Sequence, residues 1–207
     1  EDSYSEKQWS SSAHHGETVV AANCSSGDSA GNSSACSQGF CNYNNSFRGN
    51  IIRDCNGTGG VIGLPIGTQC NPNLLRSWKI YDNIFVNCNG GNGVIGAGGS
   101  NGGLRDVEVY NNTFVSSTRI MHQCNSGAVG CSSASGNIVK NNLIYNSSSI
   151  MSQHGGGPID HDYNAFFSAI DTPSFEPNGQ IAIGNPFVDS ANGNYHLKAA
   201  TYSGISL

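Results

Sequence analysis

Apolar and polar positions follow one repeated pattern along most of this chain, and each repeat is centred on an asparagine. Five segments superimpose: FRGNIIRDC, IYDNIFVNC, VYNNTFVSS, VKNNLIYNS and HDYNAFFSA. The shared positions are Asn50, Asn83, Asn112, Asn142 and Asn164, separated by 33, 29, 30 and 22 residues. Self-similarity at spacings of roughly 20–50 residues is typical of solenoids, in which each repeat stacks on the next.

The positions at a fixed distance before and after the asparagine form columns that carry residues of the same chemical type. The position three residues before it is apolar in four repeats and is broken in the fifth by His161; these residues are Phe47, Ile80, Val109 and Val139. The position two residues after it is apolar throughout: Ile52, Phe85, Phe114, Ile144 and Phe166. A two-residue period predicts a strand on each side of the asparagine, with these side chains pointing inward. We expect the asparagine itself to occupy the corner in a left-handed conformation, and its amide to bond to the asparagine one coil away.

A third strand follows each unit, at residues 61–64 (VIGL), 94–97 (VIGA), 119–122 (RIMH) and 149–152 (SIMS). Residues 17–23 (ETVVAAN) match this strand one coil earlier. Three strands per coil predict an all-β parallel solenoid of triangular section with about five to six coils. An antiparallel β-sandwich is the rival fold, but it would not need a fixed asparagine register.

We interpret residues 1–207 as one domain. It comprises an irregular first coil and cysteine-containing loop (1–46), regular coils (47–183) and a closing coil (184–207). No amphipathic helix is available to cover the first coil, so we expect residues 1–12 or another chain to cover it.

The V-Y-N-N-T-F unit resembles the coil consensus of the right-handed parallel β-helix superfamily, the pectate-lyase-like solenoids. The segment GNPFVDSANGNYHLKAAT (184–201) is similar to the closing coil of bacterial right-handed β-helix region proteins, whose activities are mostly unknown. The resemblance covers residues 13–201. It implies the fold and a link to carbohydrates, but it specifies no activity, because this architecture hosts many functions.

Composition narrows the class of protein. Only 11% of residues are charged, while 37% are hydrophobic and 28 are glycine, which is typical of short strands joined by tight turns. The net charge of -5 argues against a nucleic-acid partner. No apolar stretch is long enough to insert into a membrane, and no signal-peptide pattern is present. We therefore expect a processed chain, an excised fragment or a chain made without its leader.

The eight cysteines indicate an oxidising compartment, with buried free thiols and a metal cluster as alternatives. A local bridge between Cys124 and Cys131 is the best single pairing. Cys55 and Cys88 occupy the same place in successive coils, within reach of a disulfide. The others fall in predicted loops on one side: Cys24, Cys36, Cys41 and Cys70.

Six Asn-x-Ser/Thr sequons are candidate glycosylation sites in a secreted eukaryotic protein. They lie at Asn23, Asn32, Asn44, Asn56, Asn111 and Asn146. Sequence rich in Asn and Ser also produces such sequons by chance. Together with the cysteines they favour a secreted or cell-surface glycoprotein.

Candidate catalytic residues are few. A β-helix lyase needs a base and a cation in one groove, yet the nine Lys and Arg residues repeat in no column. His122 and Gln123 end one third strand, and Ser152, Gln153 and His154 end the next. They form either a polar cluster for sugar binding or acid–base work, or strand ends that face water; we favour the second interpretation.

Two weaker groups complete the candidates. His14, His15 and Glu17 lie about three coils from His122, and this stretch is similar to a His-Gly-Glu stretch in some β-helix proteins of unknown activity. Asp160 and Asp162 flank His161 and would suit calcium or act as a carboxylate pair. We expect no other cofactor.

Two functional hypotheses follow. The first is a structural or assembly role as a filament, coat or adhesive subunit that self-associates through its β-helix ends and carries or contacts glycans. The second is a polysaccharide lyase or glycoside hydrolase, and a non-catalytic glycan-binding module lies between them. Low charge and few coherent polar clusters favour the first.

Overall fold

The computed structural model describes residues 4–6, 19–20, 46–55, 62–63, 78–91, 93–96, 103–124, 131, 134–148, 151–152, 156–169 and 176–198. Within these ranges the protein is all-β, with nineteen short strands and a 3-10 turn at Ser190–Asn192. Seventeen of the strands form three parallel sheets.

Sheet A has seven strands: β1 (Tyr4–Glu6), β4 (Ile51–Arg53), β7 (Ile84–Val86), β10 (Thr113–Val115), β13 (Leu143–Tyr145), β16 (Ala165–Phe167) and β17 (Gln180–Ala182). Sheet B has five: β2 (Val19–Val20), β5 (Ile62–Gly63), β8 (Ile95–Gly96), β11 (Met121–His122) and β14 (Met151–Ser152). Sheet C also has five: β3 (Ser46–Arg48), β6 (Lys79–Tyr81), β9 (Glu108–Tyr110), β12 (Ile138–Lys140) and β15 (Asp160–Asp162).

Consecutive strands along the chain belong in turn to sheets B, C and A. This order occurs five times, from β2–β3–β4 to β14–β15–β16. The predicted three-strand unit is therefore confirmed, and its register is as expected. Phe114 pairs with Phe85 on one side and Ile144 on the other, and Val139 pairs with Val109 and His161. All neighbouring strands in these sheets are parallel, so the antiparallel sandwich does not apply to the described strands.

The first coil also follows the expected alignment. Val19 pairs with Ile62, which places part of the ETVVAAN segment one rung before the VIGL strand. Near the amino terminus, Tyr4–Glu6 adds a parallel strand beside Ile51–Arg53. Part of the segment expected to cover the first coil thus extends sheet A by one strand.

The main apolar core draws side chains from all three sheets. One continuous cluster includes Ile80 and Val109 from sheet C, Phe85 and Phe114 from sheet A, and Met121 from sheet B. The rings of Phe85 and Phe114 stack with centroids 5.1 Å apart. Each rung therefore adds apolar area to the same core, and stability accumulates along the stack.

A ladder of buried asparagines runs beside this core. The Oδ1 atom of Asn112 accepts hydrogen bonds from the backbone N and the Nδ2 of Asn83, at 3.1 and 3.0 Å. Its Nδ2 donates to the carbonyl oxygens of Ile80 and Tyr110 and to the Oδ1 of Asn142. The same linkage joins all five predicted asparagines, so the ladder is confirmed.

The left-handed corner is one residue earlier than we expected. The positive φ angle belongs to the residue before each ladder asparagine: Gly49, Asp82, Asn111, Asn141 and Tyr163. The ladder asparagines are absent from the positive-φ positions. Their side chains are buried and bond along the stack, whereas the corner residue before each of them is exposed or only partly buried.

The carboxy-terminal segment differs from the expected closing coil. In its described part, β18 (Phe187–Asp189) and β19 (Asn194–Leu197) pair antiparallel around the 3-10 turn. Phe187 is buried against Val115, Leu143 and Phe167, on the face of sheet A opposite the main core. The outward positions of sheet A are themselves apolar, so this sheet needs cover on both faces.

We predict that Asn112→Ala lowers the free energy of unfolding by about 3–5 kcal/mol, because it leaves several buried backbone and amide groups without partners. Urea denaturation followed by circular dichroism measures this change. Asn111→Gly is the matched control: Asn111 is exposed and left-handed, a conformation that glycine adopts freely. Equal effects of the two substitutions would contradict a stabilising role for the ladder.

Candidate functional site

His122 and Gln123 do not face water, contrary to our interpretation of them as exposed strand ends. Their relative exposures are 3% and 0%. His122 lies beside Ser152 on the next rung, as the alignment predicted. Gln153 and His154 lie outside the described residues, as do His14, His15 and Glu17.

Gln123 is held by a structural hydrogen-bond network. Its Nε2 donates to the carbonyl oxygen of Gly157 at 2.8 Å, and its Oε1 accepts from Asn137 Nδ2 at 2.9 Å. Asn137 in turn donates to the carbonyl of Leu104 and accepts from the backbone N of Val107. This arrangement ties three successive coils together, and it occupies both ends of the Gln123 amide.

The acidic candidates bind neighbouring side chains. Asp160 forms an ion pair of 2.7 Å with Lys140, and this hydrogen bond raises the pKa of Lys140. Asp162 accepts from the backbone and side chain of Asn178 and from the backbone of Tyr163. Its pKa is lowered, since these hydrogen bonds outweigh a desolvation that acts in the opposite direction.

The described residues contain no cluster of three or more His, Cys, Asp or Glu side chains that could hold a metal ion. Among the described residues, Asp160 and Asp162 are therefore not joined by a third such side chain that could help to bind calcium.

The last rung carries an arrangement that sequence reasoning missed. Both oxygens of Glu176 accept hydrogen bonds from Asn164, from Nδ2 at 2.8 Å and from the backbone N at 3.1 Å. His161 Nδ1 lies 3.0 Å from the same carboxylate. Glu176 thus takes the place that the next asparagine would occupy. This explains why His161 interrupts the apolar column, since it reaches a buried acceptor there.

The outer face of sheet C collects basic and aromatic residues that looked scattered in the sequence. Tyr81 and Tyr110 stack with centroids 5.0 Å apart, and Arg48 lies 6.0 Å from the Tyr81 ring. Lys79 pairs with Glu108 at 3.6 Å. Because both cation and carboxylate are present, this face offers a mixed rather than a basic surface.

Two clefts border the carboxy-terminal hairpin. One of about 560 Å³ lies against Ile51 and Ile84 and is lined on the hairpin side by Asn192, Tyr195 and His196, among others. A smaller cleft of about 240 Å³ is bordered by Asn111, Asn141 and Tyr195, among others. Both clefts are lined by apolar side chains together with asparagine amides.

The disulfide between Cys124 and Cys131 is confirmed, with Cα atoms 5.5 Å apart. Cys55 and Cys88 are buried neighbours on successive rungs, and both are free thiols in this structure, with Cys88 Sγ donating to Cys55 Sγ. The disulfide within their reach stays a prediction. The other four cysteines lie outside the described residues: Cys24, Cys36, Cys41 and Cys70.

Two of the six sequons fall in the described ranges. Asn111 and Asn146 are both exposed at left-handed corners, and Asn146 Nδ2 donates to Ser116 Oγ at 3.1 Å. The remaining sequons lie outside the described residues: Asn23, Asn32, Asn44 and Asn56. Among the described residues there is no helix with the length and hydrophobicity needed to cross a bilayer.

We predict that Gln123→Ala lowers the free energy of unfolding by about 2–4 kcal/mol, because the Gly157 carbonyl and the Asn137 amide lose buried partners. Thermal unfolding compared with Ser135→Ala, an exposed position in the same coil, measures the effect. An unchanged Gln123→Ala midpoint would show that the network does not stabilise the fold.

Comparison with models of known protein families, with curated protein sequences and with solved structures gives no significant match.

Proposed function

We propose that the three sheets are the faces of one right-handed parallel β-helix. The fivefold order B, C, A supports this, as does a single core that draws side chains from all three sheets. Crossover connections between parallel strands are right-handed in nearly all proteins, which supports the hand.

We propose further that the protein is a non-catalytic structural subunit of an extracellular or cell-surface assembly. The observation that carries this is the open end of sheet A. Within the described residues, β17 is paired with β16 only, and its other edge has no strand beside it. Ile181 continues the core column after Phe166 but is 75% exposed, and Ile183 is 94% exposed. An open edge beside exposed isoleucines is the surface that strand addition uses.

The occupant that fits this edge is a second copy of the chain. Sheet A has seven strands where the other two have five, so it extends beyond them at both ends, with β1 at one end and β17 at the other. Because all its strands are parallel, β1 of a second copy has the polarity needed to continue the sheet after β17. Such a head-to-tail contact builds a filament when the rotation between copies does not close a ring.

The interior of the described coils supports a structural role. Buried polar side chains such as Asn112, Gln123 and Asn137 bond to one another or to the backbone of adjacent coils. The Cys124–Cys131 disulfide is typical of oxidising compartments and supports a location outside the cytosol. The exposed sequon asparagines Asn111 and Asn146 support an association with glycans.

The second candidate is a polysaccharide-cleaving enzyme, and the cleft of about 560 Å³ beside His196 and Tyr195 favours it. Incubation with polyuronates and neutral glycans, followed by detection of reducing ends or unsaturated products, separates the two proposals. Turnover that depends on the intact cleft would replace the structural proposal with this one.

We predict that the protein assembles with rising concentration and that a variant carrying both Ile181→Asp and Ile183→Asp stays monomeric, because charged side chains at an open edge block strand addition. Sedimentation velocity and negative-stain microscopy give the readout. Val188→Asp is the matched control, since Val188 is 53% exposed but belongs to the hairpin.

The Val188 variant should assemble like the wild type. A wild-type protein that remains monomeric at high concentration, or a double variant that still forms filaments, would contradict this proposal.

A further inference from the structure

A second column of polar residues lies on the interior side of the corner that follows sheet A. In the third and fourth coils it is formed by Ser117 and Ser147, both buried. Ser117 Oγ accepts from the backbone N of Cys88 at 3.2 Å and donates to the carbonyl of Val115 at 3.1 Å. Ser147 Oγ accepts from the backbone N of Ser117 at 3.1 Å. These bonds form a serine ladder parallel to the asparagine ladder.

The first two coils place cysteines in this column. Each stands five residues after its ladder asparagine, as the serines do: Cys55 after Asn50 and Cys88 after Asn83. Both are buried, with exposures of 1% and 0%. Their Sγ atoms are 2.6 Å apart. Unbonded atoms of carbon size or larger lie about 3.5–4.0 Å apart at their optimal separation, whereas bonded sulfurs lie about 2.0 Å apart.

We propose that Cys55 and Cys88 form a buried disulfide that replaces two rungs of the serine ladder and locks the first two coils together. The bridge encloses one complete coil. Its cysteines are 33 residues apart, which equals the longest of the ladder spacings. A covalent link stabilises most where it closes the longest loop, since that loop loses most entropy when it is ordered.

The chemistry requires an electron acceptor. Two thiols lose two protons and two electrons as one S–S bond forms, and a disulfide of a thiol–disulfide oxidoreductase accepts them through a mixed-disulfide intermediate. That enzyme cannot reach sulfur atoms that are fully buried. The bridge therefore forms during folding, before the coils close over it.

Burial also explains why the bond would persist. In the reduced, folded protein, desolvation raises the pKa of Cys88 and the adjacent Cys55 raises it further, so little thiolate is present. The same burial shields the formed bond from external reductants.

The bridge is tested by alkylating the unfolded protein without reduction, digesting it with trypsin and mapping the linked peptides by mass spectrometry. The expected product joins peptide 54–76 to peptide 80–105. Peptide 54–76 also contains Cys70, so fragmentation between Gly60 and Leu64 must assign the link to Cys55. Alkylated Cys88, or a link from Cys88 to any other cysteine, overturns the proposal.

A mutant cycle separates the bridge from simple packing. Cys55→Ser, Cys88→Ser and the double variant should keep the fold, because serine occupies this column in the next coils. Each should lower the unfolding midpoint by the same amount, roughly 5–15 °C, since either single change removes the whole bridge. Single effects that add up to the double effect would indicate separate thiols and overturn the proposal.

The last measurement is whether the linked peptides survive treatment with reductant. Native wild-type protein incubated with reductant should keep its linked peptides, whereas the same reductant in denaturant should release them. Release from the native protein at the unfolded rate would contradict an interior bridge.

Discussion

The whole stack depends on one repeated hydrogen-bond arrangement, in which a single Oδ1 atom accepts both the backbone N–H and the side-chain amide of the asparagine on the preceding rung. Asn83 and Asn112 show it, and Asn142 repeats it one rung later. Each internal side chain is fully bonded, so a polar column can lie inside an apolar core without a desolvation cost that remains uncompensated. The arrangement also fixes register, because a shift of one residue would place an apolar side chain in the ladder.

Because the ladder fixes the corner of each coil, the length of the rest of the coil can vary. Ladder spacings range from 22 to 33 residues, yet the strands beside the asparagine keep their pairing in all five coils.

Two columns of left-handed residues border sheet A, one before the asparagine and one four residues after it. The second column comprises Asp54, Asn87, Ser116, Asn146 and Ser168. Residues that tolerate this conformation are chiefly Gly, Asn and Asp, which accounts for much of the unusual composition. Asn111 and Asn146 are corner residues for this reason, whether or not they carry glycans.

The features that sequence reasoning predicted are repeated ones. The asparagine column, the apolar columns beside it and the third strand were all visible because the same chemistry recurs at the same offset. The Cys124–Cys131 bridge was predictable because its partners are only seven residues apart. The left-handed position was misplaced by one residue, since Asn is favourable both at such corners and in a ladder. The outward apolar column of sheet A, which includes Val115 and Phe167, was a signal that could have predicted the hairpin cover.

The features that could not be predicted occur once and depend on where a loop returns. Glu176 lies 12 residues after Asn164, and nothing in a single sequence indicates that its carboxylate would complete the ladder. Gln123 looked like an exposed strand end, because its partners Asn137 and Gly157 are distant in sequence and are identified only in the packed structure.

Internal rungs are nearly interchangeable, so a property that belongs to this chain alone must come from the points at which a column breaks. At one end of the stack the serine column changes to cysteine, and at the other the asparagine ladder ends at Glu176. Among the described strands, only sheet A continues as far as Ile181. The proposed bridge would strengthen the first coils, whereas at the carboxy-terminal end Glu176 completes one corner and the edge of β17 is open among the described residues. The two proposals together describe a stack that the bridge would lock at one end and that would grow in one direction at the other, because a new copy would meet one sheet edge of defined polarity.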